Sequence, residues 1–292
     1  MSITADEIRS QPAVWARALD TVDSAAGLLG APGERVAILG CGTSAFVADS
    51  LAELREAAGQ GTTDAAYASE WQPRRDYDRV VVLSRSGTTT EVLEALDRVP
   101  AGTPTYAITG VADSPVARAA DEVLVLEHAD ERSVVQTRFP TTVLLLARAV
   151  LGEDVSGVLD QAVGVLAAPA AVRAADHDHF VFLGSGWTRG LADEAALKIR
   201  EAAQAWSESY PMLDYRHGPV AVAHPGSLVS VIGAADADLV ADVEATGATM
   251  RHGGADPVVQ LVQAQLLAVD LATSRGLDPD RPRHLTRSVV LG

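Results

Sequence analysis

The chain has 292 residues, 48% of them hydrophobic, and a formal net charge of -16. That length and apolar content support two domains of ordinary size with substantial cores, while the charge argues against a general binder of nucleic-acid backbone without describing any one pocket. The single cysteine rules out an intramolecular disulfide and a cysteine-cluster metal site, and four Phe and five Tyr leave the cores to Val, Leu, Ile and Ala.

The amino terminus, MSITADEIRSQPAVW, has neither the basic nor the apolar region of a signal peptide. No apolar run approaches the length of a membrane span. The expectation is a cytoplasmic protein that engages neither membrane nor nucleic acid.

In chain order, Arg35 to Gly40 reads as a buried strand that turns through Cys41-Gly-Thr-Ser44 into a helix from Ala45 to Ala58. Tyr77 to Leu83 is a second buried strand, followed by Ser84-Arg-Ser-Gly-Thr-Thr-Thr90 and a helix over Glu91 to Leu96. Thr105 to Thr109 and Glu122 to Leu126 add two strands. Continuous apolar runs separated by helical segments indicate a parallel sheet covered on both faces. The alanine-rich stretch Val158 to Ala175 reads as a packed linker helix, and places a boundary near residues 155–175. The plan then repeats: His179 to Gly184 is a strand, Ser185 to Gly190 a turn, and Leu228 to Gly233 the next strand. Asp256 to Ser274 is a final helix, and an irregular tail begins at Gly276.

The helix after the second turn carries Lys198, the only lysine among the 23 Lys and Arg residues. Glu194, Lys198 and Glu201 fall at i, i+4 and i+7, so two carboxylates and an ammonium share one stripe. Such a stripe holds a polar substrate or forms a solvated surface ladder. The small apolar residues around it, Ala195, Ala196, Leu197, Ile199 and Ala202, suit close packing beside a pocket.

The clearest ligand loop is Ser84 to Thr89. The hydroxyls of Ser84, Ser86, Thr88 and Thr89, a permissive glycine and the start of a helix can surround a phosphate. Arg85 adds charge there or faces solvent, and a loop that merely caps a helix is the competing reading. Gly40-Cys-Gly-Thr-Ser-Ala45 nominally fits G-x-G-x-x-A, with Asp64 at a suitable distance for a ribose contact. The surroundings of Asp64, Gly61-Thr-Thr-Asp64, do not read as the end of a second strand, which disfavours a dinucleotide site. Thr43 and Ser44 then face a smaller ligand, or the turn is plain. Gly184, Gly186 and Gly190 read as tight-turn residues. Cys41 reads as a buried small residue or a thiol. His217, in Arg216-His-Gly-Pro219, is the best placed of the seven histidines for moving a proton, although a core or surface role remains open. His177 and His179 read as an exposed strand entrance without a third metal ligand.

At these residues the chain resembles the sugar isomerase, or SIS, family of phosphosugar-binding proteins over nearly its whole length. The resemblance is closest to the tagatose-6-phosphate ketose/aldose isomerase and amino-sugar-phosphate deaminase group. It is carried by Glu7-Ile-Arg-Ser-Gln-Pro12, Gly40 to Phe46, Leu183-Gly-Ser-Gly186, and Glu201 combined with Arg216-His-Gly-Pro219. The chain is also similar to the isomerase half of glucosamine-6-phosphate synthase.

The resemblance implies two flavodoxin-like αβα sandwich domains with parallel sheets, divided as residues 1–160 and 161–292. It implies phosphate contacts from Ser84, Ser86 and Thr89 with Thr43 and Ser44 nearby, Glu201 as enolisation base, His217 in ring opening, and Glu194 and Lys198 as sugar-orienting groups. It further implies a homodimer whose sites take the loop histidine from the neighbouring subunit, and a reaction with no cofactor and no metal. Trp206 to Arg216 mixes aromatic, apolar and polar groups, as an interface or as a lid over its own pocket.

Two departures bear on the substrate, a phosphorylated sugar or amino sugar. The sequence has no amino-terminal glutaminase domain, so glutamine-dependent synthesis is not expected. Arg287 stands where that synthase has its catalytic lysine; it is retained as a sugar contact, but a guanidinium does not readily form an imine. The expected activity is aldose/ketose isomerisation of a phosphosugar, with amino-sugar deamination as a branch. A noncatalytic phosphosugar sensor is the alternative, and a dehydrogenase a distant third.

Overall fold

The buried apolar runs form the central strands of two parallel sheets in the computed structural model, which describes residues 2–291. Helices α1 (Ile3–Arg9) and α2 (Gln11–Leu19) precede β1 (Val36–Gly40), α3 (Thr43–Ala57), β2 (Thr63–Tyr67) and β3 (Arg79–Leu83). Next come α4 (Thr90–Asp97), β4 (Thr105–Thr109), α5 (Pro115–Ala119) and β5 (Glu122–Val125). The order β2-β1-β3-β4-β5 is that of a flavodoxin-like sheet.

Helices α6 (Arg138–Val150) and α7 (Ser156–Ala167) lead to the second half. It comprises β6 (His179–Gly184), α8 (Thr188–Ala203), β7 (Ser207–Pro211), β8 (Ser227–Ile232), α9 (Ala237–Glu244), β9 (Thr249–Arg251) and α10 (Pro257–Ser274). Its order, β7-β6-β8-β9, repeats the first four positions of the other sheet.

Alternation along the strands sorts the core. Val36, Ile38, Val81 and Leu83 face inward with Val47 and Leu51 of α3, in one apolar cluster that also holds Phe180, Phe182 and Leu228 of the second sheet and much of α8 and α10. Ala37, Leu39, Val80 and Val82 face the opposite way, onto Val92 and Ala95 of α4. The second sheet does the same with Val181, Val229 and Val231 against Leu239 and Val243 of α9. Strands buried on both faces are why the sequence shows continuous rather than alternating apolar runs.

Both halves use the same strand-to-helix turn. A Cβ on Gly40 would lie 2.5 Å from the Ser44 carbonyl carbon, and one on Gly184 would lie 2.3 Å from the Thr188 oxygen. Gly42 and Gly186 then adopt φ of 53° and 54°, which L side chains rarely take. Gly190 differs from the expectation of a turn residue. It lies in α8, where a Cβ would stand 2.2 Å from the Phe46 carbonyl oxygen, so it lets the backbones of α3 and α8 meet between the two sheets.

Several other expectations change. Asp64 does belong to a second strand: β2 pairs with β1 at the sheet edge, and the Asp64 carboxylate is taken by Arg75 at 2.7 Å and by the Tyr77 hydroxyl at 2.7 Å. Its short, half-exposed sequence, Thr63-Asp-Ala-Ala-Tyr67, hides it from an apolar-run reading. Ser207 to Pro211, within the stretch expected to form an interface or a lid, is edge strand β7, and β9 is a further short strand that no apolar run announces. Helix α7 ends at Ala167, ahead of Pro169, rather than running to Ala175. His179 is buried rather than exposed, its Nδ1 2.8 Å from Ser227 Oγ.

Candidate active site

Helix α3 leaves β1 on one face of the first sheet and α4 leaves β3 on the other. The crevice between the carboxyl ends of β1 and β3 is therefore a topological switch point, the usual ligand position in such sheets. A cleft of about 170 Å³ lies there, lined by Cys41 to Ser44, Ser84 to Ser86, Thr89, Val134, Gln136, Glu201 and the tail from Leu285 to Val289. In the second half β8 is followed by Gly233-Ala-Ala-Asp236, which lacks hydroxyls.

The Ser84 to Thr89 loop is ordered by its own side chains. Ser84 Oγ accepts from the Gly87 N–H at 3.1 Å and lies 3.3 Å from Thr89 Oγ1. Thr89 is the N-cap of α4, but its hydroxyl makes no capping bond, so the loop is not simply a cap. Thr88 does not line the cleft; its hydroxyl is within reach of Ser86 Oγ at 3.1 Å and Ser288 Oγ at 2.9 Å. Arg85 is buried rather than solvent-facing. Its guanidinium donates to Ser133 O at 2.7 Å and Arg287 O at 2.6 Å. Burial pulls its pKa down, against the opposing pull of Glu131.

The carboxylate stripe of α8 is not a solvated ladder. Glu194 and Lys198 are each 1% exposed. Lys198 Nζ donates to Glu201 Oε2 at 2.6 Å and to Thr43 Oγ1 at 3.1 Å. It also sits 3.1 Å from Glu194 Oε1, at ion-pair distance but outside hydrogen-bond alignment, so both Glu194 oxygens lack an aligned hydrogen-bond partner among the described residues. Burial pushes Glu194 up to about 7 despite Lys198, and the Glu201 charge adds to the rise. For Lys198, burial disfavours the charge, but Glu194 and Glu201 outweigh it and hold the pKa above the ordinary lysine value. The lysine is thus an ammonium behind the cleft wall, while Glu201, with its side chain 19% exposed, reaches the cleft itself.

Gln136 on the opposite wall, and the carboxylates of Glu7 and Glu131 behind it, were not singled out as site residues in the sequence. Gln136 lines the cleft, and its Oε1 is buried without a partner among the described residues. The segment bearing it is pinned by buried carboxylates: Glu7 of α1 accepts from Arg132 N at 2.7 Å and from Ser133 Oγ at 2.5 Å, and Glu131 accepts from Thr137 N at 2.5 Å. No local motif announces the Glu7 contacts, because Glu7 lies more than a hundred residues from its partners, whereas Glu131 reaches only six residues along the chain.

The tail returns to the cleft instead of merely crossing the surface. The Arg287 guanidinium points to Asp130, with oxygens at 2.5 and 2.7 Å, and donates to Glu131 O at 3.0 Å. Its charge is thereby committed to protein partners. His217 is exposed on the turn Met212–His217 and does not line the cleft of its own chain, while neighbouring Arg216 pairs with Asp236 and Asp242. Among the described residues no group of three or more His, Cys, Asp or Glu could hold a metal ion, and no helix is long and apolar enough to cross a membrane. Burial pushes the Cys41 thiol up to about 11, which disfavours the thiolate at neutral pH.

Fold and cleft together define a two-sheet α/β protein with a hydroxyl-lined loop at a switch point and a carboxylate, braced by a buried ammonium, across from it. Residues 31–150 match the SIS domain, and the chain belongs to the SIS-domain family. It is 30% identical, over 98% of its length, to glutamine–fructose-6-phosphate aminotransferase (isomerizing) of Xylella fastidiosa, of which it spans 58%. The Aeropyrum pernix protein of the same name is also 30% identical over 98% of the chain, which spans 56% of it. Among solved structures, glucosamine-6-phosphate deaminase from Thermotoga maritima superposes with a TM-score of 0.86 at 28% identity, covering 99% of this chain and 100% of that one. Tagatose-6-phosphate ketose/aldose isomerase from Escherichia coli shares the fold, with a TM-score of 0.82 at 21% identity over 100% and 96% of the two chains.

Proposed function

We propose that this chain is an aldose/ketose isomerase of a phosphorylated sugar, with a 2-amino-2-deoxysugar phosphate as the substrate of its deaminating branch. The observation that carries this reading is Glu201 at the cleft wall, facing a hydroxyl loop across a space of about 170 Å³. The relatives support it, since the Thermotoga maritima protein of matching length is named for deamination of glucosamine 6-phosphate.

In this scheme the phosphate takes the hydroxyls of Ser84, Ser86 and Thr89 and free N–H groups of their loop, with Thr43 and Ser44 beside it. Thr88 and Arg287 support the cradle and tail from behind, and Arg85 ties the two together. Once the ring is open, Glu201 removes the C2 proton to give an enediol, or an enolamine from an amino sugar, and returns a proton to C1. For the amino sugar this yields an imine at C2, which water hydrolyses to the ketone with release of ammonia. Lys198 holds Glu201 and Thr43 in place and supplies positive charge near the developing oxyanion. Its raised pKa argues against a role as imine-forming amine, which requires the neutral form. The proton transfers assigned to Glu201 and His217 call for no metal. A screen of hexose and hexosamine 6-phosphates with C2 proton exchange in deuterated water is expected to find one that exchanges and converts. Tight binding of a compound with neither exchange nor conversion would make the protein a sensor instead.

The working unit in this proposal is a homodimer, with His217 entering the partner's cleft for ring opening. Its exposure and its absence from its own cleft support this arrangement, as does the apolar surface of Trp206, Leu213 and Val222, which are 74%, 50% and 58% exposed on the same segment. Mixing Glu201→Gln with His217→Ala chains should restore activity, because some mixed dimers regain one site with both groups. Proven subunit exchange without regained activity would rule out sharing.

A further inference from the structure

The largest cavity described, about 420 Å³, lies away from the active-site cleft and shares no lining residue with it. Its walls are Val165 and Leu166 of α7, Val172 of the connector that follows, and Leu266 and Leu267 of α10. This size and apolar lining fall within the range of small-molecule sites, roughly 300–1,000 Å³.

The charges at its edge are unusual for a chain of net charge -16. Arg251, at the end of β9, lines the cavity with no ion pair or hydrogen bond to its side chain among the described residues. Burial lowers its pKa. Arg9 of α1 also lines the cavity, and among the described residues its side chain makes one hydrogen bond, a donation to the Ala5 carbonyl at 3.3 Å. Asp270 is the one acidic lining residue; it accepts at 3.4 Å from the Ala174 N–H and pairs with neither arginine. A partly buried guanidinium without a counter-charge is costly unless an anion completes it.

We propose that this cavity binds a small amphipathic anion, an acidic head on an apolar body, with Arg251 as the head-group ligand and Arg9 at its flank. The apolar walls take the body, and the two guanidinium groups provide the charge complement. The site belongs to the packing of α7, α10 and α1, so it stands or falls independently of the isomerase reading.

The probe is 1-anilinonaphthalene-8-sulfonate, compared with its neutral analogue N-phenyl-1-naphthylamine. The sulfonate is expected to bind the full-length protein at one saturable site and to protect residues 165–172 and 263–273 from hydrogen exchange. Arg251→Gln should weaken it at least about tenfold, equivalent to about 1.4 kcal/mol, while Arg251→Lys recovers part of the affinity and the neutral probe binds all three proteins alike. Because the Arg251 side chain has no hydrogen-bond or ion-pair partner among the described residues, these replacements are expected to leave the fold intact, which circular dichroism verifies. Equal sulfonate affinity in Arg251→Gln, an equal loss for the neutral probe, displacement by inorganic phosphate acting at the cleft, or no saturable site would each overturn the proposal.

Discussion

In Glu201→Gln, exchange of the C2 proton of a bound hexose 6-phosphate should fall by about 10²–10⁴-fold, while affinity for the phosphosugar persists. Glutamine keeps the shape and a hydrogen-bond acceptor for Lys198, 2.6 Å away in the native protein, but cannot take up a proton. The hydroxyl loop, which belongs to the other sheet's switch point, is untouched by the change. Deuterium incorporation followed by NMR, with binding measured calorimetrically, separates the two effects. Normal exchange in a folded variant would remove Glu201 as the base; loss of binding together with exchange would mean that the carboxylate positions the sugar rather than the proton.

Much of this cleft is legible in the sequence because its parts are local. The hydroxyl loop occupies consecutive positions after a strand whose apolar run is unmistakable, and the i, i+4, i+7 spacing of Glu194, Lys198 and Glu201 puts three charges on one helical stripe. What spacing cannot decide is whether such a stripe is wet or dry. The packing of α8 between α3 and α10 decides it, and depends on Gly190 allowing α3 to approach. The edge strands β2, β7 and β9 escape notice for a related reason: a strand with one free edge carries polar residues such as Asp64 and Glu208, and loses the apolar signature of its neighbours. Glu7 reaches the segment bearing Gln136 only through tertiary contacts, and the local bonds of Glu131 to Thr137 and Arg138 match no recognisable motif. Arg287 lines the cleft, and spacing does not show that its guanidinium pairs with Asp130.

Replacing Lys198 with methionine should destabilise the fold by about 3–5 kcal/mol near neutral pH, because it leaves Glu194 buried with no compensating charge. The loss should depend on pH with a defined sign. Glu194 has a folded pKa of about 7, raised by burial from 4.5. Its contribution, on the order of 3 kcal/mol, is therefore fully present below about pH 4.5 and is lost as pH rises through 7. Lys198 has its folded pKa raised above 10.5, so its contribution is present throughout the neutral range and is lost only above that value. Removing the ammonium pushes Glu194 further up. The variant should then approach wild-type stability near about pH 5, where the protonated Glu194 carboxyl needs no charged partner, and fall furthest behind near about pH 8. Glu194→Gln/Lys198→Met should recover most of the loss at the higher pH, because the uncompensated charge is gone. Urea unfolding of wild type and both variants at the two pH values measures this. Equal destabilisation at both, or no recovery in the double variant, would mean that Lys198 stabilises the helix through the packing of its stem rather than through its charge.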